Sequence, residues 1–222
     1  MKLGVILPTF RDDARDALGV AAQCEHYGID GVFAYDHLWP MGSPGRPSLA
    51  PFPVLAAVGA RHPSLVVGPL VARVGMVATS HLVGQFRTLA AVAPGRVIAA
   101  IGTGDSKSRD ELEAYGLDYA SASERREMVA ETARELRGEM SVWIGAGAGA
   151  TNELARELGV TLNVWDTDAA TTRALASRGP LTWAGPARDD VGALLDQLDA
   201  LGVTWAVMAP GVDVARLANW RS

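Results

Sequence analysis

Gly31-Val32-Phe33-Ala34-Tyr35-Asp36 is an unbroken apolar run ending in a polar residue, and a helix-patterned stretch leads straight into it. That stretch carries Ala17, Ala21, Cys24 and Tyr27 on one face, can be capped by Asp12 or Asp13, and is closed by Gly28. An alternating strand has one wet face, whereas a continuous apolar run is buried on both. Working outward, the same unit recurs at Leu3 to Pro8, Leu65 to Val71, Arg96 to Ile101, Ser141 to Gly145, Thr161 to Trp165, Leu181 to Ala184 and Thr204 to Ala209. Strict alternation of such runs with helical stretches predicts a parallel sheet, and eight rounds of it predict a compact (β/α)8 TIM barrel. A doubly wound open sheet shares the local pattern, but eight strict alternations favour closure. Residues 1 to 222 are expected to form a single barrel domain.

The composition narrows the function. In 222 residues, 49% hydrophobic content is enough for one sizeable core. A net charge of −5 without any Lys/Arg block gives no footprint for nucleic acid or an anionic membrane, so small-molecule chemistry is expected. Cys24 is the only cysteine, which excludes an intrachain disulfide and a thiolate metal cluster and fits the cytoplasm. The first apolar run is too short for a signal peptide, and no stretch approaches membrane-spanning length. His26, His62 and His81 have no partner at metal-ligand spacing, so no metal site is expected. Neither Gly-x-Ser-x-Gly nor a Cys-His signature occurs, which removes the usual marks of a hydrolase.

In a barrel the chemistry sits where strands end, at the C-terminal rim. Asp36-His37 follows the second strand, with Trp39 close behind. A carboxylate beside an imidazole offers proton transfer near neutral pH, and the indole offers a flat wall; the alternative is a loop cap and a surface histidine. Gly102-Thr103-Gly104-Asp105 follows the fourth run, where glycines let the backbone approach a ligand, unless they only make a tight turn. Gly145-Ala146-Gly147-Ala148-Gly149 leads into a helix read to begin near Glu153, an arrangement suited to phosphate or to a flexible turn. Trp143, Trp165, Trp183 and Trp205 fall in or at the end of four late runs, with core packing favoured over a ring-binding wall. The two long irregular pieces, Trp39 to Leu49 and Gly104 to Tyr119, both follow strands and so fall at the same rim.

Taken together the motifs resemble the luciferase-like monooxygenase superfamily. The matching stretches are Gly4 to Thr9, Tyr27 to His37, Thr88 to Val97, Ile101 to Asp105 with Glu111 and Tyr115-Gly116, and Val142 to Gly147. The resemblance implies a flavin or deazaflavin ring at the C-terminal mouth, with the deazaflavin F420 favoured over FMN because of the Asp-His pair. It implies that Asp36 and His37 lie beside the ring. Val71, Ala72 and Arg73 match the third-strand end, where the family often has a bulge or a non-proline cis peptide behind the ring. Gly145 to Gly149 match the loop that receives the cofactor phosphate. The chain departs from the pattern where Leu136 to Met140 passes directly from the fourth helix to the fifth strand without the usual intervening segment.

The expected activity is hydride transfer between F420 and a small organic substrate, with His37 as proton carrier and Asp36 as its orienter or a ring hydrogen-bond partner. The expected cofactor-binding set is Asp36, His37, Trp39, Val71 to Arg73, Gly102 to Gly104 and Gly145 to Gly149. The alternatives are an FMN-dependent monooxygenase, a non-catalytic flavin-binding barrel, and a lyase or isomerase acting on a phosphorylated metabolite. A homodimer is expected from the family resemblance.

Overall fold

The computed structural model describes residues 1–104 and 108–221. Nine strands alternate with helices: β1 (Lys2–Ile6), α1 (Arg15–His26), β2 (Gly31–Ala34), α2 (Pro51–Arg61), β3 (Val66–Pro69), β4 (Ala72–Arg73), α3 (Thr79–Val92) and β5 (Ile98–Gly102). There follow α4 (Arg109–Ala114), α5 (Ala122–Leu136), β6 (Ser141–Gly145), α6 (Gly149–Leu158), β7 (Thr161–Trp165), α7 (Ala169–Ala176), β8 (Leu181–Gly185), α8 (Val191–Ala200), β9 (Trp205–Met208) and α9 (Val214–Ala218). Each strand pairs in parallel, in the spatial order β3-β2-β1-β9-β8-β7-β6-β5-β4.

The two ends of that order are pieces of one run. The third strand, read from the sequence as Leu65 to Val71, is interrupted at a cis Leu70-Val71 peptide, so the eight expected strands become nine. Its first piece meets β5 through a parallel bridge between Val67 and Val97, and Val67 N donates to Arg96 O at 2.8 Å. Its second piece pairs Ala72 with Ile101 and Arg73 with Gly102. The sheet thereby curls into a nearly closed barrel with its helices outside.

Side-chain caps fix four of the helix starts. Ser121 caps α5 in a full capping box with Glu124, and Asp168, Asp190 and Asp213 cap α7, α8 and α9 through their side chains. Helix α1 begins at Arg15, and Asp13 accepts the Arg15 amide at 2.9 Å without being the cap residue itself. Helix α6 begins at Gly149, earlier than the start expected near Glu153. The charged piece Gly104 to Tyr119 contains the short helix α4.

Successive strand residues point to opposite faces, so each strand feeds two cores. Phe33, Ile98, Ala100, Trp143, Trp205 and Val207 fill the barrel, with Phe33 stacked on Trp143 at 5.4 Å and edge-on to Trp205 at 5.8 Å. Their strand neighbours Val32, Ala34, Ala99 and Ile101 belong to the larger core under the helices. Of the four late tryptophans, Trp143, Trp183 and Trp205 are buried core residues, and Trp165 is 50% exposed. Trp183 packs under the helices, and its Nε1 donates to Thr167 O at 3.3 Å.

Closure depends on a missing side chain at position 68. A Cβ on Gly68 would sit inside van der Waals contact of the Ile98 carbonyl oxygen, and both partners are backbone. Gly68→Ala is expected to destabilise the fold by about 1–3 kcal/mol, seen as a lower melting temperature by calorimetry. Gly138, with nothing within 4 Å of an added Cβ, serves as control: Gly138→Ala should melt with the wild type.

Candidate active site

The C-terminal ends of β2, β4 and β5 converge with α4 on a buried polar cluster. Asp36 follows β2, and its Oδ2 accepts the backbone N–H of Arg73 at 2.8 Å, tying the second rim position to the resumed third strand. His37 Nδ1 lies 2.9 Å from Glu111 Oε1. The other carboxylate oxygen of Glu111 accepts the Leu38 amide at 2.9 Å and stands 2.8 Å from Arg73 Nη2. The Arg73 and Glu111 side chains are only 4% and 2% exposed, so this is an interior ion pair. The Arg73–Glu111 approach is a charge contact without hydrogen-bond alignment. Among the described residues Arg73 Nε, Nη1 and Nη2 have no hydrogen-bond acceptor.

The polar cluster adjoins an aromatic lip. Tyr35 lies two residues beyond Phe33, so strand geometry carries it to the inner face at the mouth, and it packs against the interior cluster. Its ring stacks on Phe10 at 5.5 Å and 12° and lies 6.0 Å from Trp165 at the end of β7. His37 lies 6.3 Å from the same tyrosine ring. Burial pushes the Tyr35 hydroxyl up to about 12, so it is a neutral wall at physiological pH.

The third-strand break is accommodated by two glycines. An added Cβ on Gly102 would come 2.5 Å from Val71 Cγ2, and one on Gly145 would come 3.2 Å from Val71 Cγ1. The ends of β5 and β6 therefore close around Val71, placing Gly102 and Gly145 on the same rim as the Asp36–Arg73 contact. Thr103 Oγ1 donates to the Gly104 carbonyl at 3.1 Å, and Gly104 has φ +67°. Asp105, part of the same sequence motif, lies outside the described residues. In the glycine tract Ala146 N donates to Asn163 O at 2.7 Å and Gly147 N to Asn152 Oδ1 at 3.1 Å. The exposed residues Ala148, Gly149 and Ala150 form the start of α6.

The sequence-selected residues thus separate into groups. Asp36, His37, Ala72, Arg73, Val71, Gly102 and Gly145 come together. Trp39 is buried in the loop after β2 and takes no part in the ring contacts around His37. Of the two expected roles of Asp36, orienter of His37 or ring hydrogen-bond partner, the first is not what the contacts show: Asp36 Oδ2 accepts the Arg73 amide, and the imidazole partner is Glu111. Glu111 entered the sequence reading only as part of a matching stretch, and Phe10 not at all. Tyr35 could have been found from its parity with Phe33.

A parallel barrel with one charged cluster and one aromatic lip at its C-terminal mouth is the architecture of a small-molecule enzyme fold. The luciferase-like monooxygenase family profile matches residues 1–141, which contain the whole polar cluster, and the chain belongs to that family. It is 35% identical over 107 residues to an F420-dependent glucose-6-phosphate dehydrogenase of Nakamurella multipartita, covering 48% of this chain and 31% of that protein. It is 27% identical over 213 residues to the protein of the same name from Microbacterium testaceum, covering 82% of this chain and 62% of that one. The chain therefore spans less than two thirds of the length of these curated relatives. Among solved structures, an F420-dependent secondary alcohol dehydrogenase in complex with an F420-acetone adduct superposes with TM-score 0.80 and 13% identity. That alignment covers 99% of this chain and 97% of the other, a likeness of fold.

Burial raises the Asp36 carboxyl above the usual range, outweighing the Arg73 amide, the Arg73 charge and the His37 charge, while the Glu111 charge adds to the rise. A carboxyl raised on folding binds more protons in the native than in the unfolded state. Stability is therefore lost as pH climbs from the unfolded value, about 3.9, through the raised one. Asp36→Asn keeps an oxygen for the Arg73 amide and removes the buried charge. The variant should melt at or above the wild type at pH 8, with the gap closing on acidification. A variant several degrees less stable at pH 8 and indifferent to pH would contradict this account.

Proposed function

We propose that the protein is an oxidoreductase moving a hydride between F420 and a small organic substrate, with His37 carrying the proton. The observation that carries this reading is the buried Asp36–Arg73–Glu111–His37 cluster at the barrel mouth, inside the family-matched residues. The relatives named as F420-dependent dehydrogenases support the choice of cofactor.

The residues present fit such a group. Arg73 offers buried N–H donors without acceptors among the described residues, which suit the carbonyl edge of a flat ring. Side chains no larger than methyl from Gly145 to Gly149 leave the start of α6 open to an anionic tail. When bound, F420 supplies the hydride carrier; the protein supplies binding, orientation and a proton. Arg73 and the 145 to 149 tract would hold the ring edge and the tail. Phe10, Tyr35 and Trp165 wall the mouth with apolar surface, and His37 gives or takes the proton at the reacting substrate oxygen. Asp36 fixes the backbone of Arg73, so that the guanidinium is held at the mouth by the chain as well as by Glu111.

Titration with F420 and FMN in parallel tests the reading. A spectral change with F420 at micromolar protein, and none with FMN, is expected; binding of FMN alone would move the proposal to a monooxygenase. Binding of neither would end it. With glucose-6-phosphate and a secondary alcohol as trial substrates, reduction of F420 is followed by loss of its absorbance. His37→Ala should lower turnover by about 10²–10⁴-fold and leave F420 affinity within a few-fold. Unchanged turnover would remove His37 as proton carrier, and binding without turnover of any trial substrate would favour a non-catalytic cofactor-binding barrel.

The same reading includes a cytoplasmic homodimer. Its supports are the family resemblance and the single buried thiol, Cys24. Among the described residues no helix is long and apolar enough to cross a membrane. Light scattering on the purified chain should return twice the 23.3 kDa chain mass.

A further inference from the structure

We infer that Glu111 is a positioning residue that fixes the tautomer of His37, placing the proton on Nδ1 and leaving Nε2 as the bare nitrogen. Glu111 comes from α4, and His37 lies 74 residues earlier in the chain. Nothing local in the sequence pairs them.

The inference follows from counting donors around one carboxylate. Oε2 of Glu111 faces the Leu38 amide at 2.9 Å and the Arg73 guanidinium at 2.8 Å. The amide N–H can only donate and the guanidinium brings a positive charge, so Oε2 must be an acceptor oxygen. Oε1 faces His37 Nδ1 at 2.9 Å, and a carboxylate has no proton to give. Nδ1 must therefore carry the hydrogen in the neutral ring. Neutral imidazole has one N–H, so Nε2 holds the lone pair. The ring is 23% exposed, and no protein partner is recorded for Nε2 among the described residues, leaving that atom available to a ligand.

The same count gives the result of changing one atom. In Glu111→Gln the side chain has one acceptor and one donating NH₂. The position facing Leu38 and Arg73 confronts an amide donor and a positive charge, so the amide oxygen must take it. The NH₂ then faces Nδ1, which must accept, and the ring proton moves to Nε2. A nearly isosteric substitution outside the imidazole thus inverts which nitrogen can take up a proton.

The experiment is long-range ¹H–¹⁵N correlation on the full chain labelled at histidine, without cofactor, at about pH 8.5, where ordinary imidazoles are neutral. Only four histidines contribute, and His37→Asn identifies the His37 signals by their loss. His62, whose Nδ1 stands 2.7 Å from Glu25 Oε2, is an internal control remote from Glu111. The wild type should show His37 protonated on Nδ1, and Glu111→Gln should show it protonated on Nε2 with His62 unchanged. A wild-type His37 protonated on Nε2, or a folded Glu111→Gln that keeps the wild-type tautomer, would overturn the inference. The wild-type spectrum needs no variant, so a Glu111→Gln chain that fails to fold still leaves the first of these results able to decide.

The meaning for catalysis rests on the reading of His37 as proton carrier; the tautomer itself does not. With F420 and a turned-over substrate, Glu111→Gln should lower kcat by about 10²-fold or more while F420 affinity stays within a few-fold. An inverted tautomer with unchanged kcat would reject His37 as proton carrier and leave the assignment of Glu111 standing.

Discussion

Glu111 is the carboxylate on which the mouth of the barrel depends. It is almost fully withdrawn from water, yet it contacts an imidazole and a backbone amide from the turn after β2 and a guanidinium from β4. An ion taken out of water costs several kcal/mol, recovered only when its surroundings are well aligned. That requirement docks α4 against the ends of β2 and β4. The position of His37 and the reach of Arg73 are tied to the same carboxylate.

The charge balance within the cluster is uneven. Two carboxylates, Asp36 and Glu111, share one guanidinium, and only Glu111 touches it through the side chain. Asp36 must make do with a backbone amide, and its carboxyl is displaced upward by burial accordingly. Stability alone would favour a neutral group there, since a buried charge without a full partner is costly. Carboxyls displaced in this way cluster at functional sites.

Much of the architecture could be read without coordinates, because strands buried on both faces must be written as continuous apolar runs. The runs around Ile6, Phe33, Ile144 and Val207 are of this kind, and each lies in the sheet. The rim pair Asp36-His37 was visible for the same reason, as polar residues placed directly after such a run. The break in the third strand was not legible in the apolar pattern of Leu65 to Val71, which only Gly68-Pro69 disturbs; the family resemblance alone pointed to a bulge or non-proline cis peptide at this strand end, and Leu70-Val71 is such a peptide. Nor could Glu111 be singled out locally, since Asp110, Glu111 and Glu113 stand together in a charged helical stretch and only the tertiary structure selects one. Trp165 was grouped with three core tryptophans by residue type, whereas its parity with the inward-facing Asn163 places it on the inner face and its position at the strand end leaves it half exposed.

The interlocked contacts of Arg73 also constrain how such a mouth can diverge. Losing the guanidinium would strand two carboxylates against each other, losing Glu111 would strand a cation in the interior, and either change costs about 3–5 kcal/mol, a large part of a typical domain's margin. Neither half of the Arg73–Glu111 pair can be lost alone without that cost. Positions 73 and 111 should therefore be inherited or replaced as a unit across descendants, giving the barrel mouth the slow, stepwise drift of a locked pair, while the solvated outer helices are free to change one residue at a time.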